Sequence, residues 1–233
     1  MNPLSGVLSE AWQMYKSHAA HLLLIAFVIY LTAALIAAVL VAFAGIFGAI
    51  LATIVQIIAA FLLQAALVKA VQDVRDGRAD LSLGDTVSAA MPYLGRVAGA
   101  SVLAGIVIGV GFLFLIIPGL YLLTIWSLIV PAIVIGQSRA LESFGRSYEL
   151  VRGFFWRVFG TYVLVFLILI VVNIVIGLIL ISLPVALRNG ISNVVSGTLV
   201  APFLALVVTL IYYRLFAAHR GGASPDAGPG MAG

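Results

Sequence analysis

Four carboxylates, Asp73, Asp76, Asp80 and Asp85, lie along one short stretch of this chain. Clustered carboxylates are how a membrane enzyme holds a divalent cation against a phosphorylated alcohol. Arg75 and Arg78 are interleaved with them, and mixed charges over so few residues describe a solvated turn rather than a metal site. His18 and His21 are three apart and place two imidazoles on one helical face. A catalytic zinc needs three protein ligands and an open position, and no third ligand stands at a useful spacing, so the pair reads as interfacial histidines with long apolar bodies. A membrane-embedded lipid enzyme would need an acid or base near the interface, for which Glu10, Asp85, Glu142 and Glu149 qualify, but a solvated-face role suffices for all four. The chain has no cysteine, which excludes disulfides, thiolate metal sites and cysteine nucleophiles. The expectation is a protein without a catalytic constellation, metal or cofactor.

Uncharged polar groups inside apolar segments are the next place to look, because such groups mark substrate paths when they line a cavity. Thr53, Gln56 and Gln64 fall on roughly one helical face, the best sequence argument for a polar path and hence for a small transporter or channel. Asn173 is the most central polar residue of another apolar segment; its bland reading is an interhelical hydrogen bond, which averages about 0.6 kcal/mol in membranes. Gly105 and Gly109, continued by Ser101, make a GxxxG pattern that lets a second helix approach closely.

These residues need elements to hold them, and the charge pattern defines those elements. From Leu22 to Val68 the chain has no Asp, Glu, Lys, Arg or His, and a second such run extends from Val97 to Ser138. A spanning helix needs about 20 apolar residues, so each run is long enough for two crossings. Val158 to Leu187 and Asn189 to Tyr213 supply one more each. With 64% apolar and 9% charged residues, against about 25% charged in soluble domains, the chain reads as an all-α polytopic membrane bundle. Six spans are expected near 20–43, 48–70, 97–117, 119–137, 158–182 and 194–216. The outer connections are minimal: Gly45 to Gly48, a Pro118-Gly119 turn, and the stretch from Pro184 to Asn193.

The net charge of +4 is informative by position. On the six-span reading Lys16, Lys69, Arg75, Arg78, Arg96, Arg139, Arg146, Arg152, Arg157, Arg214 and Arg220 share one side, and Arg188 alone takes the other. Cytoplasmic loops carry the Lys/Arg excess, which puts both termini in the cytoplasm and gives no support to a nucleic-acid role. Arg outnumbers Lys ten to two, and this usage, with abundant Ala and Gly, points to a bacterial cytoplasmic membrane.

Each inner connection has helical amphipathic spacing. Leu4, Val7, Leu8, Ala11, Trp12 and Tyr15 form one apolar face, with Asn2-Pro3 as its start. Ser82 to Leu94 forms a second, with Leu83, Val87, Ala90, Met91 and Leu94 together and Ser82 and Asp85 at capping-box spacing. Leu141 to Phe155 forms a third, with Leu141, Phe144, Tyr148, Val151 and Phe155 together. Such helices are expected to lie in the interface with their apolar faces among the acyl chains. They place Lys16, Arg96, Arg146, Arg152 and Arg157 at the depth of anionic headgroups. Offsetting the chain by 61 superimposes Ser82, Gly84, Arg96, Val97, Gly99, Val102 and Leu103 on Ser143, Gly145, Arg157, Val158, Gly160, Val163 and Leu164. Three parallel repeats, near 4–71, 82–137 and 141–217, follow, each an interfacial helix plus a hairpin, in a membrane domain of residues 1–218. Residues 219–233, rich in Gly, Pro and Ala, read as a disordered cytoplasmic tail.

One segment carries a recognisable signature: Pro118-Gly119-Leu120-Tyr121, Trp126-Ser127-Leu128, Pro131, Ala140-Leu141, Ser143, Arg146-Ser147-Tyr148, Leu150 and Arg152-Gly153-Phe154-Phe155-Trp156. It resembles the glycerophosphoryl diester phosphodiesterase membrane domain family, six-helix bacterial membrane proteins. Gln137 stands where an acidic residue is frequent in that family, and Tyr148 replaces a common tryptophan. The resemblance implies a fold more than an activity, because in fused members the phosphodiesterase chemistry belongs to a separate soluble barrel. The expected function is non-enzymatic association with membrane lipids, or with another membrane protein or a second copy of the chain.

Overall fold

The computed structural model describes residues 3–75, 82–182 and 184–221, and the described residues are helical with no strand. Eight helices follow in order: α1 (Val7–Ser17), α2 (Ala19–Arg75), α3 (Leu83–Phe114), α4 (Ile116–Ile125), α5 (Ile129–Val134), α6 (Glu142–Arg152), α7 (Phe155–Ile179) and α8 (Val185–Gly221). Five helical stretches are long and apolar enough to cross a membrane: Ala19–Arg75, Leu83–Phe114, Ile116–Val134, Phe155–Ile179 and Val194–Arg220.

The 57 residues of α2 would measure about 85 Å if straight, at 1.5 Å per residue. They are not straight. Gly45 has φ 53 and ψ −125, a backbone state that L residues avoid, and a Cβ on Gly48 would collide with the Leu40 carbonyl. Residues eight apart touch only if the chain doubles back between them.

The second reversal falls earlier than the Pro118-Gly119 turn expected from the sequence. The break is at Leu115, with φ −167 and ψ 151. Pro118 sits in the first turn of α4, where its missing N–H costs no hydrogen bond. Gly119 serves the contact across the turn instead: a Cβ there would collide with the Phe112 ring, and one on Gly111 would stand 3.2 Å from the Gly119 Cα.

The three amphipathic segments behave differently from one another. α1 starts at Val7 behind a left-handed Gly6, later than a Pro3 start, and Asn2 lies outside the described residues. Part of its apolar face packs on α8, with Leu4, Val7 and Ala11 buried, while Trp12 on the same face is exposed. The second segment is not a separate element: α3 runs through Pro92 without interruption for 32 residues. Its start is the expected capping box, with the Asp85 N–H donating to the Ser82 hydroxyl at 3.2 Å and that hydroxyl donating to the Asp85 carboxylate at 2.6 Å. α6 is a separate helix, but it buries Ser143, Ser147, Leu150 and Val151, while Leu141 and Tyr148 are exposed.

The core gathers around α8, which touches α1, α2, α5, α6 and α7. Leu206, Val207, Leu210, Ile211 and Leu215 of α8 are fully enclosed, against Leu63 to Val71 of α2 and Leu128 to Val134 around α5. Outside the core large apolar side chains face outward, including Phe43 at 88% exposed and Leu113 at 89%; soluble monomers rarely show apolar patches on this scale. Asp76, Arg78 and Asp80 lie outside the described residues, as do the side chain of Arg188 and the tail from 222 onward. α8 itself reaches Gly221.

Candidate functional site

Membrane-embedded backbone must satisfy its own polar groups, and helical pairing is interrupted at the break between α4 and α5. Pro131 stands in α5 and removes a donor there, so the stretch Ile116–Val134 is broken near this proline. The Ser147 hydroxyl of α6 enters the break, donating to the Ile125 carbonyl at 2.6 Å and accepting from the Leu128 N–H at 3.2 Å. This explains why α6 turns its serine side inward. Ser147 stands in the motif that carries the family resemblance, and periodicity assigns it no face.

Among the described residues seven basic side chains lie over aromatic rings. Lys16 lies 5.8 Å from the Trp12 centroid, Arg157 lies 5.8 Å from Phe154, and Arg75 stacks 3.6 Å from Tyr213. Lys69 and Arg96 share Tyr93, at 5.0 and 6.0 Å, and Arg146 and Arg220 share Phe216, at 5.7 and 4.4 Å. A cation held over a ring face keeps its N–H edges available to an anion. Of the five predicted headgroup residues, Lys16, Arg96, Arg146 and Arg157 therefore stand at separate rings, as stations rather than in one site.

Two of those stations have a cleft. Arg146 lies in an open cavity of about 340 Å³ with Ser138, Glu142, Gly145 and Glu149, where two carboxylates offset its charge. Arg152 and Arg157 flank a cavity of about 330 Å³ completed by Gly153, Phe154, Phe155 and Trp156. That second cleft holds two cations, no acid, and aromatic walls, at the junction where α6 ends and the apolar α7 begins.

Arg214 does different work. It donates to the Pro3 carbonyl at 3.3 Å, to the Ser5 carbonyl and to the Glu10 carboxylate, while Trp12 meets Phe203 edge-on and the Tyr15 hydroxyl donates to the Leu199 carbonyl at 3.0 Å. Later residues of α1 meet earlier residues of α8, so α1 runs antiparallel along α8. Burial raises the Tyr15 phenol above its ordinary value, so the folded state favours its neutral form and loses this contribution only in strong alkali, as pH rises through the raised value. Replacing Arg214 with methionine should undock α1 by about 1–2 kcal/mol, the low end for charge-assisted bonds because both partners are partly exposed. Hydrogen exchange over α1 should accelerate roughly tenfold, with little change in α7.

The polar-path residues are separated by the structure. The Thr53 hydroxyl is exposed and donates to its own helix, to Ala49 at 2.9 Å. Gln56 is half-buried and stands outside the cavity that Gln64 lines with Tyr30, Ser127 and residues of α8. Asn173 donates to the Leu169 carbonyl at 2.8 Å and accepts from the Ser196 hydroxyl at 3.0 Å, an interhelical bond between α7 and α8. Gly105 and Gly109 meet nothing within 4 Å, because α3 packs through Val97, Ala100 and Ala104. Among the described residues no three His, Asp or Glu side chains gather as metal ligands.

Apolar surface over five membrane-length helical stretches among the described residues defines an all-helical membrane protein. The chain belongs to the family described as a domain of unknown function, DUF7847, whose model matches residues 81–219, well over half of its length. No curated protein and no solved structure matches it.

Proposed function

We propose that this is a six-crossing protein of the bacterial cytoplasmic membrane, both termini cytoplasmic, that holds anionic lipid headgroups at its basic inner end and catalyses no reaction. The reversal at Gly45 supports counting α2 as two crossings, which with α3, α4–α5, α7 and α8 makes three hairpins, and the paired Ser82 and Ser143 positions support their origin as repeats. The resemblance to the phosphodiesterase membrane domains is read as distant kinship of the membrane part alone. A cytoplasm-only reporter fused after Gly233 should be active; an inactive fusion would overturn the orientation.

The observation that carries the lipid reading is the acid-free cleft between Arg152 and Arg157. Two guanidinium groups beside an apolar span fit a phosphate at the membrane surface. Changing Arg152 and Arg157 together to Gln should lower retention of phosphatidylglycerol by about tenfold in native mass spectrometry, on the order of 1.4 kcal/mol, and leave retention of phosphatidylcholine unchanged. Adding Arg146→Gln should cost less than either of the first two, because Glu142 and Glu149 already offset that charge. Equal retention by wild type and the triple variant would end the headgroup reading.

A further inference from the structure

We infer that the half-open cavity between the two arms of α2, the α4–α5 break and α8 binds a lipid whose polar end is an uncharged hydroxyl. The cavity has a volume of about 310 Å³, within the range of small-molecule sites. Its aliphatic walls come from Leu63, Leu67, Val130, Ala201, Leu204 and Ala205, and its polar groups are Tyr30, Gln64 and Ser127. Tyr30 and Gln64 make no hydrogen bond among the described residues, although both belong to the charge-free run from Leu22 to Val68. Gln64 is exposed and Tyr30 half-buried, so surrounding lipid chains would leave an amide and a phenol unpaired, which is costly, and a ligand that both donates and accepts removes that cost.

Two further hydroxyls border this cluster. Thr198 buries a hydroxyl oxygen without a hydrogen-bond partner, and the Tyr162 hydroxyl is also buried. Thr198 stands three residues before Ala201 on the cavity face of α8, and the Tyr162 hydroxyl lies beside that of Ser127. Every polar group around the cavity is therefore neutral. An ionised headgroup would find no opposite charge there and would be expelled, whereas a hydroxyl meets several partners. Leu204 also forms the wall of an adjoining apolar groove of about 460 Å³, lined by Phe112, Leu123, Phe159, Phe166 and Leu169. The groove suits the hydrocarbon chain of a ligand whose hydroxyl sits in the cavity.

Such chemistry is shared by diacylglycerol and by free long-chain alcohols. The test uses the full chain in nanodiscs and three probes carrying a diazirine in the hydrocarbon: a diacylglycerol, a long-chain alcohol and a phosphatidylglycerol. After irradiation, adducts of a hydroxyl probe should map to the peptides holding Ala60 to Val68 and Ala201 to Val208, several-fold above phosphatidylglycerol. Labelling by diacylglycerol alone assigns the site to glycerolipids, by the alcohol alone to free alcohols, and by both to the hydroxyl itself. Combining Tyr30→Phe with Gln64→Leu removes two neutral hydrogen bonds and should cut the yield about tenfold, and Ala205→Phe should abolish it by filling the space. The first pair is conservative and decides the matter even if Ala205→Phe does not fold. Equal labelling by phosphatidylglycerol, or a wild-type yield from the Tyr30 and Gln64 pair, would overturn the proposal.

Discussion

Replacing Ser147 with alanine should lower the unfolding free energy by about 2–4 kcal/mol, although it removes one oxygen from a helix outside the spans. The hydroxyl satisfies both sides of the α4–α5 break, bonding the Ile125 carbonyl and the Leu128 N–H. All three residues are buried, and a buried polar group that loses its partner costs about 1–3 kcal/mol. Two are orphaned at once, in a segment where Pro131 and the turn at Trp126 already prevent helical pairing. Thermal or denaturant unfolding in detergent would measure the loss. Tyr148→Phe, next in sequence and exposed, is the control and should stay within about 0.5 kcal/mol. A loss below about 1 kcal/mol for Ser147→Ala would mean that water or relaxation satisfies the break, and the serine would lose its structural explanation.

Ser147 also shows where sequence reading stops. Helical stretches long and apolar enough to cross a membrane were legible because the absence of charge marks every residue in them, and the Ser82 cap was legible because its partner Asp85 is three residues on. The buried side of α6 was not, because its apolar face was read from Leu141, Phe144, Tyr148, Val151 and Phe155, whereas the demand that Ser147 answers comes from a backbone break some 20 residues upstream. The Leu115 reversal was misplaced for a related reason. Proline and glycine attract a turn assignment, yet a proline at the start of α4 and a glycine facing Phe112 serve the helix after the turn. α1 was expected among lipids because its amphipathicity fits a bilayer surface and a protein surface equally; only the contacts of Glu10 and Tyr15 with α8 distinguish them. The candidate sites divide in the same way. The arginines were found by composition and position, but the separation of the Arg152–Arg157 cleft from the acid-flanked Arg146 required side-chain geometry. Tyr30 and Ser127 were missed as partners of Gln64, because no local pattern joins residues from three separate segments.

The reversal of α2 makes the second large prediction. Tyr30 and Gln64 line one cavity, although a continuous helix would hold them about 50 Å apart, so the cavity exists only if the chain turns at Gly45. The turn depends on two glycines for different reasons. Gly45 occupies a positive φ with extended ψ, where another residue stores about 1–3 kcal/mol of strain. Gly48 meets the Leu40 backbone so closely that a Cβ would overlap the carbonyl, and backbone cannot rotate aside as a side chain would. Gly48→Leu should therefore cost about 3 kcal/mol or more, and Gly45→Ala about half as much. Both variants keep the span apolar, so insertion should persist while the folded, monodisperse fraction falls. Size-exclusion profiles and thermal unfolding in detergent give the order. If Gly48→Leu folds as well as wild type, the two arms stand farther apart than the Leu40 contact requires, and the cavity between Tyr30 and Gln64 would have to be wider and more open to lipid than a bound hydroxyl needs.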